Sequence, residues 1–255
     1  MKRWLILIFL AAAVTCAPAR ADEPWRFQLT PYVWGPSVSG DIEPARRLPP
    51  VSLDRSLGDV LADLEGAFFL NGTARTERLV LLGDFTWARL SETHHLTLPP
   101  TAVTPPLGIE ATGKVTLTSF TLAMGYTAVK QPDVVLDLFG GMRGWRVRAS
   151  VAVPHPLPFL PTSASETRFW VDPVIAARTR FQISPAWSFI GYADVGGFGA
   201  GSELTWQAVG TINYELSERF YLSAGYRHMA LDYEEDALEL DLDLSGPLIG
   251  ATFLF

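Results

Sequence analysis

The feature that most constrains the fold is an alternation of apolar and polar residues that recurs along almost the whole chain after residue 24. Successive side chains of an extended strand point to opposite faces, so a period of two predicts strands with one apolar and one polar face. No long amphipathic helix and no strand–helix–strand pattern interrupts the series. The alternation marks ten segments: 25–37, 65–75, 79–90, 114–129, 134–151, 169–183, 187–198, 202–216, 220–233 and 242–255.

These segments carry much apolar surface, but none of them could form a membrane helix. Hydrophobic residues make up 48% of the chain, yet no apolar run of about 18 or more residues occurs after the N-terminal region. Most segments reach the roughly 9 to 11 residues that a tilted membrane strand requires. The pattern therefore predicts an all-β fold, a closed antiparallel up-and-down transmembrane β-barrel.

The connections between the segments alternate in length. Residues 76–78, 130–133, 184–186 and 217–219 form short polar turns, whereas 36–64, 91–113 and 152–168 form long connections. In transmembrane barrels the short turns face the periplasm and the long loops face the exterior. With both termini on the periplasmic side the strand number must be even. Ten strands satisfy this, and eight or twelve are alternatives because segment boundaries shift by a few residues.

Residues 1–21 are typical of a cleaved secretory signal. Lys2 and Arg3 precede an apolar run over residues 4–14, and Ala19-Arg20-Ala21 is a small-x-small cleavage pattern. The apolar run is shorter than the ~20 residues of a helical membrane span. We therefore predict a signal peptide over residues 1–21 and a barrel domain over 22–255, exported through the periplasm to the bacterial outer membrane.

The predicted mature chain has no cysteine, because Cys16 lies within the signal and lacks the upstream leucine of a lipoprotein signal. Disulfides and thiol chemistry are then excluded. Loss of three of the 20 basic residues would raise the excess of acidic residues from 7 to 10. This charge argues against nucleic acid as a partner. We expect no metal and no cofactor.

Aromatic residues collect near the ends of the segments, which predicts two girdles at the membrane boundaries. The periplasmic girdle would hold Trp25, Tyr126, Phe181, Trp187, Tyr214, Phe220 and Phe255. The exterior girdle would hold Trp34, Trp87, Trp145, Trp170, Phe198, Trp206 and Tyr233.

Charged residues fall on the polar face of the alternation and should point into the lumen. A barrel of about ten strands is too narrow for an open aqueous channel, so inward acids and bases must pair closely. They would form either a closed polar plug or the lining of a selective conduit. The predicted lumen charge network is Arg75, Asp84, Asp137, Arg143, Asp172, Arg178, Arg180, Asp194 and Arg227.

Two local features concern the first connection and the strand junction. Leu57, Val60, Leu61 and Leu64 have helical spacing, which predicts a short helix that either caps the barrel mouth or orders the long loop against the rim.

Pro31 and Pro247 fall on the first and last strands, which meet where the barrel closes. Because proline cannot donate a ladder hydrogen bond, we expect bulged or irregular pairing there.

Four histidines are candidates for catalysis: His94, His95, His155 and His228. The first two are adjacent in a predicted loop, and none lies in a recognisable catalytic motif. His228 is the best candidate, since it leans toward lipid and the acids Asp232 and Glu234 follow it at the outer rim. An outer-membrane hydrolase acting on lipid or peptide is therefore the alternative hypothesis, and it requires a serine or an aspartate pair within reach of His228.

The segment that starts DVGGFGAGSELTWQAVGTINYELSERFYLSAGYRHMALDYEED at residue 194, with the closing LSGPLIGATFLF, resembles a family of uncharacterised small outer-membrane β-barrel proteins of Gram-negative bacteria. PYVWGPSVSGD, DFTWARL and GGMRGWRV are similar to the same family. The resemblance implies assembly by periplasmic chaperones and the barrel-insertion machinery, with Phe253 and Phe255 as the insertion signal. Outer-membrane lipid and lipopolysaccharide would be its surroundings. It implies no activity, so we expect a non-enzymatic envelope component or a narrow small-solute conduit.

Overall fold

The computed structural model describes residues 25–43, 51–98, 107–152, 163–235 and 238–255. The predicted signal peptide with Cys16, and also His155, lie outside these ranges. Within the described residues no helix has the length and apolar character needed to cross a membrane.

Twelve strands and one short helix make up these ranges. The elements are β1 (Arg26–Trp34), β2 (Ser37–Glu43), β3 (Val51–Arg55), α1 (Leu57–Ala62), β4 (Leu64–Arg75), β5 (Leu79–Leu98), β6 (Leu107–Lys130), β7 (Val134–Ala152), β8 (Ser163–Gln182), β9 (Trp187–Gly197), β10 (Leu204–Ser217), β11 (Phe220–Glu235) and β12 (Leu238–Leu254).

Ten of these strands form a closed antiparallel barrel. In the ring, β1 lies next to β4, and β4 to β12 follow one another in chain order. β1 also pairs with β12, which closes the ring. The pair β2 and β3 extends the sheet beyond β12. The predicted fold and the strand number of ten are confirmed.

The seam between the first and last strands is interrupted but stays in register. Pairing of β1 with β12 lapses around Pro31 and resumes at Tyr32 opposite Gly250. A second break at 35–36 separates β1 from β2, yet both strands follow the same alignment along β12. The irregular pairing that we expected is therefore present as gaps, without a bulge. Pro31 still pairs with Leu70 on its other side.

Four strands rise well above the exterior side of the barrel. β5 to β8 have 19 to 24 residues, about twice the length that a tilted strand needs to cross a membrane. Most of the connection predicted at 91–113 therefore continues as a hairpin of β5 and β6. The prediction of a loop for His94 and His95 is wrong, because both lie in β5.

The outward face of the barrel is apolar and the inward face is polar, as the alternation predicts. On β10, Leu204, Trp206, Ile212 and Tyr214 are exposed outward, whereas Thr205, Gln207 and Asn213 are buried inward. The barrel thus separates a lipid-compatible belt from a filled interior.

The two predicted aromatic girdles differ in outcome. Most of the periplasmic set faces outward and is exposed, including Trp25, Tyr126 and Trp187. The exterior girdle is wrong for four of its seven members, since Trp34, Trp145, Trp170 and Tyr233 are buried in the lumen. Each of these four residues lies an even number of positions from an inward residue on its own strand; Trp145, for example, lies two residues from Arg143. Residues at even spacing on a strand share one face, so these rings also point inward.

The predicted helix in the first connection is present as α1. Ser56 caps it, accepting a hydrogen bond from the Asp59 backbone N–H, while the Asp59 carboxylate accepts one from the Ser56 N–H. The helix packs against β2 and β3, and Leu57 contacts Gly35. This position favours the role of ordering the loop against the rim over that of capping the mouth.

Candidate functional site

An aromatic layer fills the exterior half of the lumen. It consists of Trp34, Phe69, Trp145, Trp170 and Tyr233, which come from five different strands. Tyr233 stacks on Trp170 with ring centroids 4.0 Å apart, and Trp145 stacks on Trp170 at 6.1 Å. Trp145 and Tyr233 are each only 1% exposed. Leucines and Met229 pack around the rings, so this part of the lumen is densely packed.

The turn between β9 and β10 folds inward and packs against this layer. Ser202 is fully buried; its backbone N–H donates to Asp172 at 2.7 Å and its hydroxyl to the same carboxylate at 2.8 Å. The Trp145 indole N–H also donates to Asp172, at 2.8 Å. A Cβ at Gly201 would lie 2.7 Å from Asp172 and 2.9 Å from Trp170. Only glycine therefore allows the turn to approach so closely.

A buried ion pair lies in the lumen close to the aromatic layer. Arg143 Nη2 lies 2.5 Å from Asp194 Oδ2, and both side chains are 0% exposed. Tyr192 and Gln207 also donate to Asp194, at 2.7 and 2.6 Å. Arg143 Nε donates to Thr121 at 2.9 Å. These hydrogen bonds offset the desolvation of the two charges, which a buried pair requires.

A second polar cluster joins the first strand to β4, β5 and β11. Arg227 donates to the Tyr32 hydroxyl at 2.6 Å, and Tyr32 donates to Asp84 at 3.2 Å. Asn71 also donates to Asp84 at 3.2 Å. The Arg227 guanidinium lies 4.7 Å from the Trp34 ring centroid, a cation–π contact that links this cluster to the aromatic layer.

A third cluster lies toward the periplasmic end. Arg75 Nη2 contacts both carboxylate oxygens of Asp137 at 2.9 Å, and Thr127 donates to the same group at 2.7 Å. Arg178 lies 4.0 Å from Asp137. Arg180 instead donates to Gln182 at 2.8 Å.

All nine residues predicted to line the lumen lie on the inward face, but they do not form one network. Arg143 and Asp194 form the first cluster, Asp84 and Arg227 the second, and Arg75, Asp137 and Arg178 the third. Asp172 binds the turn and an indole rather than a base, and Arg180 lies apart. Neither the aromatic layer nor the inward position of Ser202 is predicted by the sequence pattern.

The periplasmic half of the lumen contains a cavity of about 120 Å³. Its walls combine polar side chains with apolar ones such as Ile190 and Val209, and many of them are half-buried, in contrast to the buried rings above. Among the lining residues are Gln28, Thr30, Tyr192, Thr211 and Thr252.

On the outward face, two polar side chains and one aromatic ring surround His228. Ser245, directly opposite on β12, has its Oγ 2.5 Å from His228 Nδ1. Asp243 Oδ1 lies 3.4 Å from His228 Nε2, and the Trp206 ring lies 4.6 Å from the imidazole. The side chains of His228 and Asp243 are 29% and 52% exposed. The predicted acids Asp232 and Glu234 lie farther along β11, where their register partners on β12 are Asp241 and Glu239. The acid next to the imidazole is therefore Asp243 and not Asp232 or Glu234.

Phe253 and Phe255, the predicted insertion signal, are exposed at the periplasmic end. Phe255 and Phe27 exchange two backbone hydrogen bonds, at 2.9 and 3.2 Å, so the chain terminus is paired. Within the described ranges no group of three or more histidine, cysteine or acidic side chains could hold a metal ion.

Comparison with solved structures supports the architecture. The outer membrane protease OmpT of Escherichia coli aligns with a TM-score of 0.53 and 9% identity, over 92% of this chain and 97% of that chain. Ail of Yersinia pestis (TM-score 0.34, 12% identity, 91% and 99% covered) and a Pseudomonas aeruginosa FadL homologue (0.39, 10%, 92% and 90%) are more distant. No family model and no curated protein sequence matches the chain. At such low identity the likeness shows the fold alone, that of bacterial outer-membrane β-barrels.

Proposed function

We propose that this chain is a non-enzymatic component of the bacterial outer membrane whose lumen is sealed, so that it acts through its outward and exterior surfaces and not as a conduit. The aromatic layer is the observation that carries this proposal. Because its rings come from strands all around the barrel and are nearly solvent-free, a solute would have to displace several of them to pass. The adjoining ion pair and the inward turn add further barriers.

The proposal is tested by conductance across planar bilayers that contain the purified barrel. We expect the native protein to show no channel events, and the double variant Trp170→Ala/Tyr233→Ala to leak, because it removes the stacked pair at the centre of the layer. The matched control is Trp206→Ala, which removes an outward ring and leaves the lumen filled. Stable channels in the native protein would refute a sealed lumen.

Membrane placement is tested separately. We expect the barrel to require detergent, and heated and unheated samples to migrate differently on gels. Deletion of Phe255 should impair assembly in the outer membrane while export continues, since it removes both the terminal ring and the last pairing with Phe27. Protein that stays soluble without detergent and does not partition into membranes would exclude the membrane proposal.

A lipid-directed hydrolase is the second candidate, because a serine lies within hydrogen-bond reach of His228. In that reaction Ser245 Oγ would attack an ester carbonyl while His228 Nδ1 accepts the hydroxyl proton. His228 would return the proton to the leaving alcohol, and water would then release the acyl group from Ser245. Asp243 is placed to bind the other ring nitrogen, and the outward face would expose all three groups to lipid.

A fluorophosphonate probe, which labels activated serines, tests this candidate together with hydrolysis of a micellar ester. The hydrolase hypothesis expects labelling of the native barrel and none of Ser245→Ala. The matched control is Ser37→Ala, since Ser37 lies opposite Ser245 on β2 and donates to the Ser245 backbone carbonyl, not to His228. A native barrel that neither labels nor hydrolyses the ester would exclude this candidate.

A further inference from the structure

A basic groove lies on the outward face of β5, β6 and β7. The lumen charges lie on the opposite, inward face of the same sheet. It has a volume of about 340 Å³. Three cross-strand rows build it: Trp87 with Thr118 and Arg146, Arg89 with Thr116 and Arg148, and Lys114 with Ser150. We refer to these eight residues as the basic groove.

The groove begins where the lipid belt ends. The row directly below it contains Phe85, Phe120 and Gly144, which continues to Val171 on β8. Phe120 and Val171 are exposed outward, and Phe169, next to Arg146, is 69% exposed. Since each two-residue step along a strand is about 7 Å, Arg146 and Arg148 lie one and two steps beyond this apolar row. In a membrane barrel the lipid headgroups begin beyond the apolar belt.

The charge of the groove is not balanced by the protein. Glu65, which occupies a register shift at the start of β4, accepts from Lys114 at 2.7 Å and from Arg89 at 2.9 Å. Arg146 and Arg148 are exposed, and in the described part of the chain neither has an acidic partner within ion-pair distance. Four cations thus face one carboxylate in a protein whose net charge is −7. Such a local excess is complementary to an anion.

The side chains also suit phosphate in particular. Arg146 and Arg148 lie two residues apart on one face of β7, so two planar guanidinium groups stand side by side and can each form paired hydrogen bonds to phosphate oxygens. The hydroxyls of Thr116 and Thr118 lie between β5 and β7 as further donors. Trp87 and Phe169 offer apolar contacts below the cations.

We infer that the basic groove binds the phosphate groups of a phosphorylated glycolipid in the outer leaflet, with Arg146 and Arg148 as the principal ligands. The lipid chains would lie along the exposed apolar row and Phe169. This inference concerns the outer surface and requires only that the barrel lies in the membrane, whether or not the lumen is sealed. The conductance experiment tests the sealed lumen, so its failure would leave the lipid site unaffected.

Native mass spectrometry of the refolded barrel in detergent, titrated with lipid A, tests the inference. We expect binding by the native protein and a loss of affinity of roughly tenfold or more in the double variant Arg146→Gln/Arg148→Gln, since two charge-assisted contacts are removed. The matched control is Arg78→Gln/Arg219→Gln, which removes two cations at the periplasmic turns and should leave affinity unchanged. Folding of each variant is checked by heat-modifiable migration.

Two further arms separate the outcomes. Glu65→Gln should strengthen binding by releasing Arg89 and Lys114, and high salt should weaken it. Equal affinity of the native protein and the Arg146/Arg148 variant for lipid A would overturn the inference. A lower affinity of the Glu65→Gln variant for lipid A would also overturn it. Inorganic phosphate that binds as tightly as lipid A would show a site for free phosphate and would overturn the assignment to a lipid headgroup.

Discussion

The two halves of the lumen are built from the same strands with the same alternation, yet they are packed differently: stacked rings span the exterior half, whereas the periplasmic half combines a smaller apolar cluster with a cavity. In the exterior half the inward positions carry indole and phenol rings with leucines, and exposure falls to a few per cent or less. In the periplasmic half Val80, Leu82 and Phe139 form a smaller buried cluster, and polar side chains together with Ile190 and Val209 surround a cavity. Packing inside a ten-strand barrel therefore depends on the size of the inward side chains and not on strand number alone.

The polar clusters differ between the halves in the same way. The Arg143–Asp194 pair is shielded completely, whereas Arg75 in the periplasmic cluster retains 28% of its side-chain exposure. Shielded charges depend on their protein partners, while charges near a cavity or an open end keep some contact with solvent. The same type of ion pair should therefore contribute unequally at the two ends.

The largest expected effect tests this difference directly. Arg143→Ala would leave the Asp194 carboxylate buried without a base, so we expect a loss of about 3–5 kcal/mol in the free energy of unfolding. Arg75→Ala is the comparison variant and should cost roughly 1–2 kcal/mol, because Arg75 is partly solvated and Thr127 and Arg178 still face Asp137. Urea titration in detergent micelles measures both. Equal losses would contradict the distinction between the two halves.

A smaller effect is expected from the turn that closes the exterior half. Gly201→Ala would force the new methyl group against Asp172 and Trp170, so we expect about 1–3 kcal/mol of destabilisation. The backbone amide of Ser202 should also exchange faster with deuterium, since its hydrogen bond to Asp172 would be stretched. Gly83→Ala serves as the control, because nothing lies within 4 Å of the added atom. The role assigned to the turn would fail if both variants behaved alike.

The smallest effect concerns α1, outside the lumen. Hydrogen bonds from the Ser56 side chain and then its backbone lower the pKa of Asp59 below its ordinary value of 3.8. A lowered pKa means that the capping contribution is fully present above about pH 4 and is lost as pH falls through the folded value. The protection of residues 57–62 against hydrogen exchange, relative to the intrinsic exchange rate at each pH, should therefore fall at acid pH while the barrel stays folded. In Asp59→Asn this acid-dependent change should be absent; its persistence would assign the effect to another group.

Much of the architecture could be predicted because alternation is a local property. The ten strands, the helix after Ser56 and the outward face of β10 all follow from residue spacing. The exterior aromatics are the exception, because a position near a strand end predicts a girdle, whereas strand parity directs four of these rings into the lumen. Trp145 is two residues from Arg143 and must share its face, so the signal for an inward ring was present.

Other features depend on the register between strands, which single-strand patterns do not contain. Ser245 lies opposite His228 only through the pairing of β11 with β12. The basic groove likewise requires Arg89, Thr116 and Arg148 to fall in one row across three strands. The inward position of Ser202 depends on the shape of a turn. Such placements arise from tertiary pairing and could not be derived from spacing along the chain.

The interrupted seam has a consequence for how the ring is completed. β1 and β2 share one alignment along β12. The β1–β12 and β2–β12 parts of the junction can therefore pair independently and still have the same register. The prolines remove hydrogen bonds there without introducing an error of alignment. The junction thus has fewer ladder hydrogen bonds than an uninterrupted strand pair, and both of its lengths pair in the same register.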